Sequence, residues 1–386
     1  MRVSDVKPFL VSPVSHRAGM TGGKNWLYVK VETDEGITGW GEAYTQLDRD
    51  RNIAQHVQDL SRYLVGRDPG RIKEFTRLAY EDFAGRRGSM DLYSALSALE
   101  QALWDILGKA LGVPVHQLLG GTCREEVHVY ANGWYGHART PGEYAERALA
   151  MVERGFDALK FDPFPGPWRL FVDRAVEARA VENVRAVREA VGPDVALLIE
   201  GHRRLAPMHA LRVGHALEAY TPFWYEEPVP ADNIPALTEV RRQLDIPIVT
   251  GETLYTKAAY REVFERGAAD IINPDVCNCG GILELKEIAA MAEPYYVAVA
   301  PHNYNSTAVG LAATLQVAAC IPNFCITEYF VNFEETSAEV AVEPLRVRDG
   351  TIQVPTAPGL GITLNEEAME AYPYQQQAKR SWPDLH

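Results

Sequence analysis

The chain lacks any long hydrophobic run. No stretch approaches the roughly 18–20 apolar residues that a membrane-spanning helix needs, and the first ten residues (MRVSDVKPFL) contain no apolar segment typical of a signal peptide. Clusters of Lys and Arg are missing too, and 38 basic against 52 acidic residues leave a net charge of −14. This balance argues against nucleic-acid binding. We therefore expect a cytoplasmic protein with neither a membrane nor a nucleic acid as partner.

Cysteine is scarce and irregularly spaced. The five cysteines include no CxxC pair, which favours reduced thiols over a disulfide framework or a zinc site: Cys123, Cys277, Cys279, Cys320 and Cys325. No GxGxxG motif follows a predicted strand, which argues against a dinucleotide-binding fold. Low-complexity tracts are also absent, and 386 residues with 47% hydrophobic content predict a globular chain of two domains.

The first 125 residues combine strands and helices in a pattern typical of an α+β domain. Residues 26–32 (WLYVKVE) and 37–42 (ITGWGE) flank the turn Asp34-Glu35-Gly36 and predict a β-hairpin. Helical periodicity follows at residues 51–64, 71–80 and, most regularly, 92–111. We expect this domain to span residues 1–125 and to be completed by the C-terminal tail, residues 341–386.

From residue 126 to residue 340 the chain alternates short strands with helices. Thr140-Pro141-Gly142-Glu143 is a capping box that opens the first of these helices. Strand-like segments recur at the spacing of a parallel β/α array: residues 127–131, 158–161, 195–199, 223–225, 248–250, 271–273, 296–300 and 324–327. Eight such units favour a closed β/α barrel, spanning residues 126–340, over an open doubly wound sheet.

Three glutamates, Glu200, Glu226 and Glu252, each follow one of these strands, and successive members are 26 residues apart. The carboxyl ends of barrel strands meet at one mouth, so the three carboxylates are expected to converge. Converging carboxylates repel one another unless a hard divalent cation lies between them. The spacing therefore predicts a metal site.

Two further residues end adjacent strands of the predicted barrel. Asp275 and His302 bring a carboxylate beside an imidazole, which fixes the tautomer of the ring and raises its pKa, as a general base requires. A structural histidine that is hydrogen-bonded in a loop is the alternative. Glu328 ends the last strand and continues the same series of polar strand ends.

Three more polar residues share a face with this series. His202 lies two residues after Glu200, so strand alternation directs it to the same side, either as a metal ligand or, in the interpretation we favour, as a proton donor. Lys160 and Asp162 are likewise two residues apart. They are candidates for the site, with a simple ion pair as the alternative.

A series of short motifs runs through both predicted domains: Asp34-Glu35-Gly36-x-x-Gly39-Trp40-Gly41-Glu42, Ala102-x-Trp104-Asp105-x-x-Gly108-Lys109, Leu118-Leu119-Gly120-Gly121, Glu226-Glu227-Pro228, Gly251-Glu252, Asn273-Pro274-Asp275 and Pro301-His302-Asn303. In this order and spacing they resemble the enolase superfamily, in its mandelate racemase-like branch. The resemblance covers almost the whole chain. It implies an α+β capping domain over a (β/α)7β modified TIM barrel, an essential Mg²⁺ and abstraction of a proton α to a carboxylate.

Two strand ends depart from the racemases of that branch. Racemases carry Lys-x-Lys at the second strand, where this chain has Lys160-Phe161-Asp162, so the second base is missing. The third strand ends in Glu200-Gly201-His202, which resembles acid-sugar dehydratases of the gluconate and galactonate type. The resemblance thus implies a hydro-lyase that forms a 2-keto-3-deoxy sugar acid. The alternatives are a cycloisomerase or epimerase of the superfamily and a non-catalytic sugar-acid-binding protein.

The resemblance also implies roles for individual residues. Mg²⁺ is expected between the three glutamates, Glu200, Glu226 and Glu252. Proton transfer and charge stabilisation are expected from His302 oriented by Asp275 (base), His202 (acid), Lys160, and a protonated or hydrogen-bonding Glu328. Substrate contacts are expected from Asp162 and from His16 and Lys24, in a loop that faces the barrel mouth in this fold. We expect a small acid-sugar substrate and a homo-oligomer.

Overall fold

The computed structural model describes residues 1–13, 24–82, 88–164, 170–304, 306 and 308–377. The first domain contains one antiparallel sheet of three strands in the order β1 (Val3–Val11), β2 (Trp26–Thr33) and β3 (Thr38–Ala43). Strands β2 and β3 pair from Leu27–Ala43 to Glu32–Thr38, which confirms the predicted hairpin. Strand β1 is not predicted from the sequence pattern.

Helix α1 (Asp50–Ser61) packs on this sheet and is followed by α2 (Ile72–Arg77), which continues into a π-helical turn at Leu78–Asp82. Helix α3 (Met90–Leu111) also packs on the sheet, and the short α4 (Val115–Leu118) follows it. Strand β3 lies directly on α3, because a Cβ on Gly41 would stand 1.8 Å from the carbonyl oxygen of Ala98. Glycine at this position therefore allows the strand and the helix to approach closely.

Eight parallel strands form the second domain: β4 (Glu126–Asn132), β5 (Ala158–Phe161), β6 (Ala196–Glu200), β7 (Trp224–Glu226), β8 (Ile248–Thr250), β9 (Ile271–Ile272), β10 (Ala298–Val299) and β11 (Thr327–Phe330). The hydrogen-bonded order runs β10-β9-β8-β7-β6-β5-β4-β11. The two ends of this path meet where Cys325 N donates to Val299 O at 2.8 Å and Val299 pairs with Phe324. The sheet is thus a closed ring.

Seven helices connect these strands: α5 (Pro141–Glu153), α6 (Arg174–Val191), α7 (Pro207–Leu217), α8 (Ile234–Gln243), α9 (Thr256–Arg266), α10 (Ile282–Ala292) and α11 (Val309–Ala318). The predicted capping box opens α5, since the Thr140 side chain accepts from Glu143 N and the Glu143 side chain accepts from Thr140 N. Eight strands and seven intervening helices confirm the (β/α)7β barrel.

The last barrel strand was predicted at residues 324–327 and lies instead at Thr327–Phe330. The chain changes partner here, because Phe324 pairs with β10 whereas residues 327–330 pair with β4. Glu328 therefore lies inside the strand and not beyond its end.

The C-terminal tail contacts both domains. After α12 (Glu334–Val340), strand β12 (Thr351–Gln353) pairs antiparallel with the barrel strand β4. Beyond α13 (Glu366–Glu370) the tail reaches the first domain, where Pro373 pairs with Val11. Across the described ranges, we find no helix of the length and apolarity required to traverse a membrane.

Candidate active site

The three spaced glutamates converge inside the barrel mouth. Strands β6 and β7 place Glu200 directly opposite Glu226 in the sheet register, and Glu252 follows β8. One carboxylate oxygen from each residue lies within 4.8 Å of the others, and all three residues are buried. The convergence that the sequence predicted is confirmed.

The charges around this triad are unbalanced. Burial and the charge of Glu200 raise the pKa of Glu226 well above its ordinary value. Lys160 supplies a cation, with Nζ 2.7 Å from Glu226, 3.1 Å from Glu328 and 3.4 Å from Glu200. Burial alone would lower the pKa of Lys160, but the charges of Glu226 and Glu328 raise it well above its ordinary value. Lys160 is therefore a buried ammonium that offsets part of the negative charge.

The triad has the properties of a site for a hard divalent cation. Its donors are all carboxylate oxygens, the ligands that Mg²⁺ prefers. Glu200 Oε2 is buried and accepts no hydrogen bond from the described residues, so this oxygen is available to coordinate a cation. Asn273 supports the other two ligands, since its Nδ2 donates to Glu226 Oε1 at 2.7 Å and its Oδ1 accepts from Glu252 N at 3.2 Å. The residues present therefore fit such an ion.

His302 and Asp275 form a buried pair at the ends of two adjacent strands. His302 Nδ1 lies 2.8 Å from Asp275 Oδ2, and Nε2 lies 2.8 Å from Glu252 Oε2. Burial would lower the pKa of His302, but the charges of Glu328 and Glu252 and the hydrogen bond with Asp275 together raise it well above its ordinary value. Asp275 fixes the tautomer, so Nε2 is the atom that faces the site.

His202 is held by a second aspartate. Its Nδ1 lies 2.8 Å from Asp162 Oδ2, and its Nε2 lies 4.0 Å from Glu200 Oε2. Burial would lower the pKa of His202, but the charges of Glu200 and Asp162 outweigh this effect and raise it. Asp162 also pairs with Arg204. Lys160 and Asp162 therefore contact different partners: Lys160 contacts the glutamates, and Asp162 contacts His202 and Arg204.

Glu328 accepts hydrogen bonds from two amides, Asn132 Nδ2 at 2.6 Å and Asn303 N at 2.9 Å, and it contacts Lys160. Burial would raise the pKa of Glu328, but Lys160, His302 and these amides lower it. Each of these partners favours the carboxylate over the protonated form, and the hydrogen-bonding role expected of Glu328 stays a prediction.

A cavity of about 700 Å³ opens onto these groups, and its lining includes Lys160, Asp162, His202, Glu252 and His302. Its remaining wall contains the aromatic residues Tyr44, Tyr135, Tyr304 and Phe330, two glycines, and the polar residues Gln46, Asn132 and Arg203.

The two loop residues that were expected to contact substrate are Lys24 and His16, and the structure describes only Lys24. Lys24 is buried behind that wall, where Nζ donates to Tyr304 O at 2.6 Å and lies 5.0 Å from the centre of the Tyr44 ring. His16 falls outside the described residues. The substrate contacts expected of these two residues stay predictions.

Several residues near the triad were not singled out from the sequence. Arg203 pairs with Glu252 and lies 3.1 Å from Glu227, which itself accepts from Thr250 Oγ1 at 2.6 Å. Arg203 and His202 have φ of 59° and 50°, in the left-handed region, so the backbone turns sharply after β6. Only the position of Arg203, directly after a strand-end histidine, could have indicated it.

A β/α barrel with a buried carboxylate triad and two histidine–aspartate pairs at its mouth defines a class of metal-site barrel enzymes. Two protein-family models match the chain. The model described as "Mandelate racemase / muconate lactonizing enzyme, N-terminal domain" matches residues 1–120, and the model described as "Enolase C-terminal domain-like" matches residues 143–368. The chain belongs to the mandelate racemase and muconate lactonizing enzyme family of the enolase superfamily.

Curated relatives agree with this assignment. A D-gluconate dehydratase of Thermoproteus tenax is 37% identical over 90% of this chain and 69% of its own length. A D-galactonate dehydratase of Variovorax paradoxus is 37% identical over 89% of each chain. The crystal structure of a mandelate racemase/muconate lactonizing enzyme from a Jannaschia species is similar at a TM-score of 0.90, with 34% identity over 98% of this chain and 99% of that chain.

Proposed function

We propose that this enzyme is a Mg²⁺-dependent acid-sugar dehydratase, which converts an aldonate such as gluconate or galactonate into a 2-keto-3-deoxy sugar acid. The observation that carries the proposal is that two histidines, each paired with its own aspartate, line one cavity together with Glu252 of the carboxylate triad. Loss of water needs one group that removes a proton and another that donates one. The names of the relatives support the same substrate class.

Glu200, Glu226 and Glu252 are the residues that would hold the ion. A bound Mg²⁺ would stabilise the negative charge that develops on the substrate carboxylate when the α proton leaves. The chain contributes a cation of its own, since the Lys160 ammonium lines the cavity and is held by Glu226.

Each proton has a defined acceptor or donor in the chain. His302 Nε2 removes the C2 proton, and the contact of Nδ1 with Asp275 at 2.8 Å orients the ring and stabilises the imidazolium that forms. The electrons of the C2–H bond form an enediolate, which then expels the 3-hydroxyl as the C2–C3 double bond forms. His202 donates a proton to that oxygen, which leaves as water. The resulting enol gains a proton at C3, loses the proton of its 2-hydroxyl and becomes the 2-keto-3-deoxy acid.

The two histidines should respond differently to substitution. We expect His302→Asn to abolish both the exchange of the C2 proton with D₂O and dehydration, because both steps need the base. We expect His202→Asn to block dehydration and to leave exchange measurable, because proton removal does not need the leaving-group acid. NMR exchange and a semicarbazide assay for the keto product measure the two steps separately.

The same assay distinguishes the proposal from its alternatives. With a panel of C5 and C6 sugar acids and Mg²⁺, a dehydratase gives the keto product, whereas an epimerase or cycloisomerase gives proton exchange without it. Dehydration by His202→Asn at the wild-type rate would refute the assigned acid. Failure of every sugar acid to give keto product would refute the proposed function.

A further inference from the structure

Glu42 of the first domain contacts the loop and the helix that follow His302 in the barrel. It lies on β3 and is fully buried. Its Oε2 accepts from Gly310 N at 2.7 Å, and its Oε1 accepts from Ser306 Oγ at 2.9 Å. Gly310 is in the first turn of α11, the helix that follows the strand and loop carrying His302.

Glu100 makes a matching contact one barrel helix earlier. It lies on α3, is fully buried, and accepts from Ile282 N at 2.7 Å and from Leu283 N at 3.0 Å. These are the first two residues of α10, the helix that follows Asp275. Both members of the His302–Asp275 pair are thus followed by a helix whose amino end meets a carboxylate of the first domain.

Neither helix has a cap of its own. The residues at the N-cap positions are Gly281 for α10 and Ala308 for α11, and neither makes a side-chain cap hydrogen bond. The first N–H groups of a helix need acceptors, and a carboxylate also interacts favourably with the positive end of the helix dipole. A Cβ on Gly281 would stand 2.1 Å from Glu100 Oε2, so the glycine makes room for the cap from the other domain.

Hydrogen bonds continue from these caps to the site. Ser306 O accepts from Asn303 Nδ2 at 2.6 Å, and Asn303 N donates to Glu328. Gln101 fixes Glu42 and the loop after Asp275 together, because its Nε2 donates to Glu42 O at 3.0 Å and to Val276 O at 3.2 Å. The loops that follow Asp275 and His302 are therefore anchored to the first domain.

We propose that Glu42 and Glu100 are positioning residues for proton abstraction, which set the His302–Asp275 pair relative to the substrate through the amino ends of α11 and α10. This inference rests on the proposed function. Burial raises the pKa of Glu42 and of Glu100 to about 7, so both carboxylates are held where their charge is unfavourable. Apolar residues would fill the same interface without that cost, which favours a role in orientation over a role in packing alone.

Glu42→Gln at pH 8 tests the proposal, with Glu177→Gln as a matched control. Glu177 is also buried, but it joins α6 to α7 through His209 and Arg212. For Glu42→Gln we expect kcat to fall on the order of tenfold, because small displacements of a reacting group are costly. KM and the dissociation constant for Mg²⁺ should stay within about twofold of wild type, since Glu42 makes no hydrogen bond to the triad among the described residues.

Amide hydrogen exchange gives a readout that does not depend on turnover. Peptides covering the start of α11 should exchange faster in Glu42→Gln and at the wild-type rate in Glu177→Gln. Ser306→Ala removes one of the two hydrogen bonds to Glu42, so it should lower kcat in the same direction by less and add little in the Glu42→Gln background. If Glu42→Gln does not fold, Ser306→Ala alone tests whether the contact with Glu42 affects kcat.

Three outcomes would overturn the proposal. The first is a wild-type kcat in Glu42→Gln with a loss of thermal stability like that of Glu177→Gln, which would leave only a structural role. The second is a parallel loss of Mg²⁺ affinity, which would place the effect at the metal site. The third is unchanged amide exchange at α11. If the wild-type enzyme dehydrates no sugar acid, the proposed function fails, and the exchange comparison still tests the contact.

Discussion

Lys160 is surrounded by carboxylates, so its removal should have a large effect on stability before any substrate is added. Its Nζ lies 2.7, 3.1 and 3.4 Å from Glu226, Glu328 and Glu200, and its side chain is 2% exposed. At an effective dielectric constant of about 20, each contact corresponds to about 5–6 kcal/mol of Coulomb energy. Desolvation offsets most of this, and breaking a buried pair costs about 3–5 kcal/mol. We expect Lys160→Met to lose about that much free energy of unfolding in EDTA.

A divalent cation should then recover part of the loss. Because Lys160→Met leaves the carboxylates with less compensation, saturating Mg²⁺ should raise its melting temperature by more than it raises that of the wild type. Urea unfolding with and without Mg²⁺ measures both quantities. Lys73→Met is the control, since Lys73 is 57% exposed and its pair with Glu287 at 2.9 Å should contribute less than about 1 kcal/mol. Equal stability of the two variants in EDTA would refute the electrostatic account of the triad.

Three further predictions concern single carboxylates. Glu226→Gln should weaken Mg²⁺ binding on the order of a hundredfold in isothermal titration calorimetry; unchanged affinity would remove Glu226 from the ligand set. Asp162→Asn should slow dehydration more than C2 proton exchange, because it removes the partner that holds His202; an equal effect on both rates would contradict this. The pKa of Glu100 is about 7 in the folded protein, against 4.5 ordinarily, so the folded state binds more protons between these values and stability falls as pH rises through 7. Unfolding measured at pH 5 and pH 8 should therefore show a smaller pH dependence in Glu100→Gln, by at most about 3 kcal/mol, and an unchanged dependence would show that Glu100 ionises normally.

The parts of the fold that depend on periodicity were predictable from the sequence. The hairpin at residues 26–43, helix α3, the capping box at Thr140 and the barrel strands all follow from local patterns of apolar residues and turn signals. The last strand was misplaced because residues 324–330 contain two pairing segments with different neighbours. The change of neighbouring strand depends on how the ring of strands closes, so the local pattern of apolar residues does not indicate it.

The site residues that lie at the ends of barrel strands were predictable from the sequence. The convergence of the glutamates and the contact between Asp275 and His302 follow from the geometry of a parallel barrel. The contacts of Arg203, Asn273 and Glu42 could not be predicted, because they depend on backbone turns or on packing between domains. The hydrogen bonds of Glu328 could not be predicted either, since its amide donors come from the end of β4 and from the loop after β10.

Position 162 bears on the choice between the proposed elimination and racemisation. The second lysine that racemases of this family carry as a base is replaced here by Asp162. Asp162 instead pairs with His202 Nδ1 and with Arg204, so its carboxylate is directed to the histidine on the neighbouring strand. A carboxylate in that place stabilises the protonated form of His202. In the proposed mechanism, this strand end therefore supports the acid that protonates the departing 3-hydroxyl and supplies no second lysine base at C2.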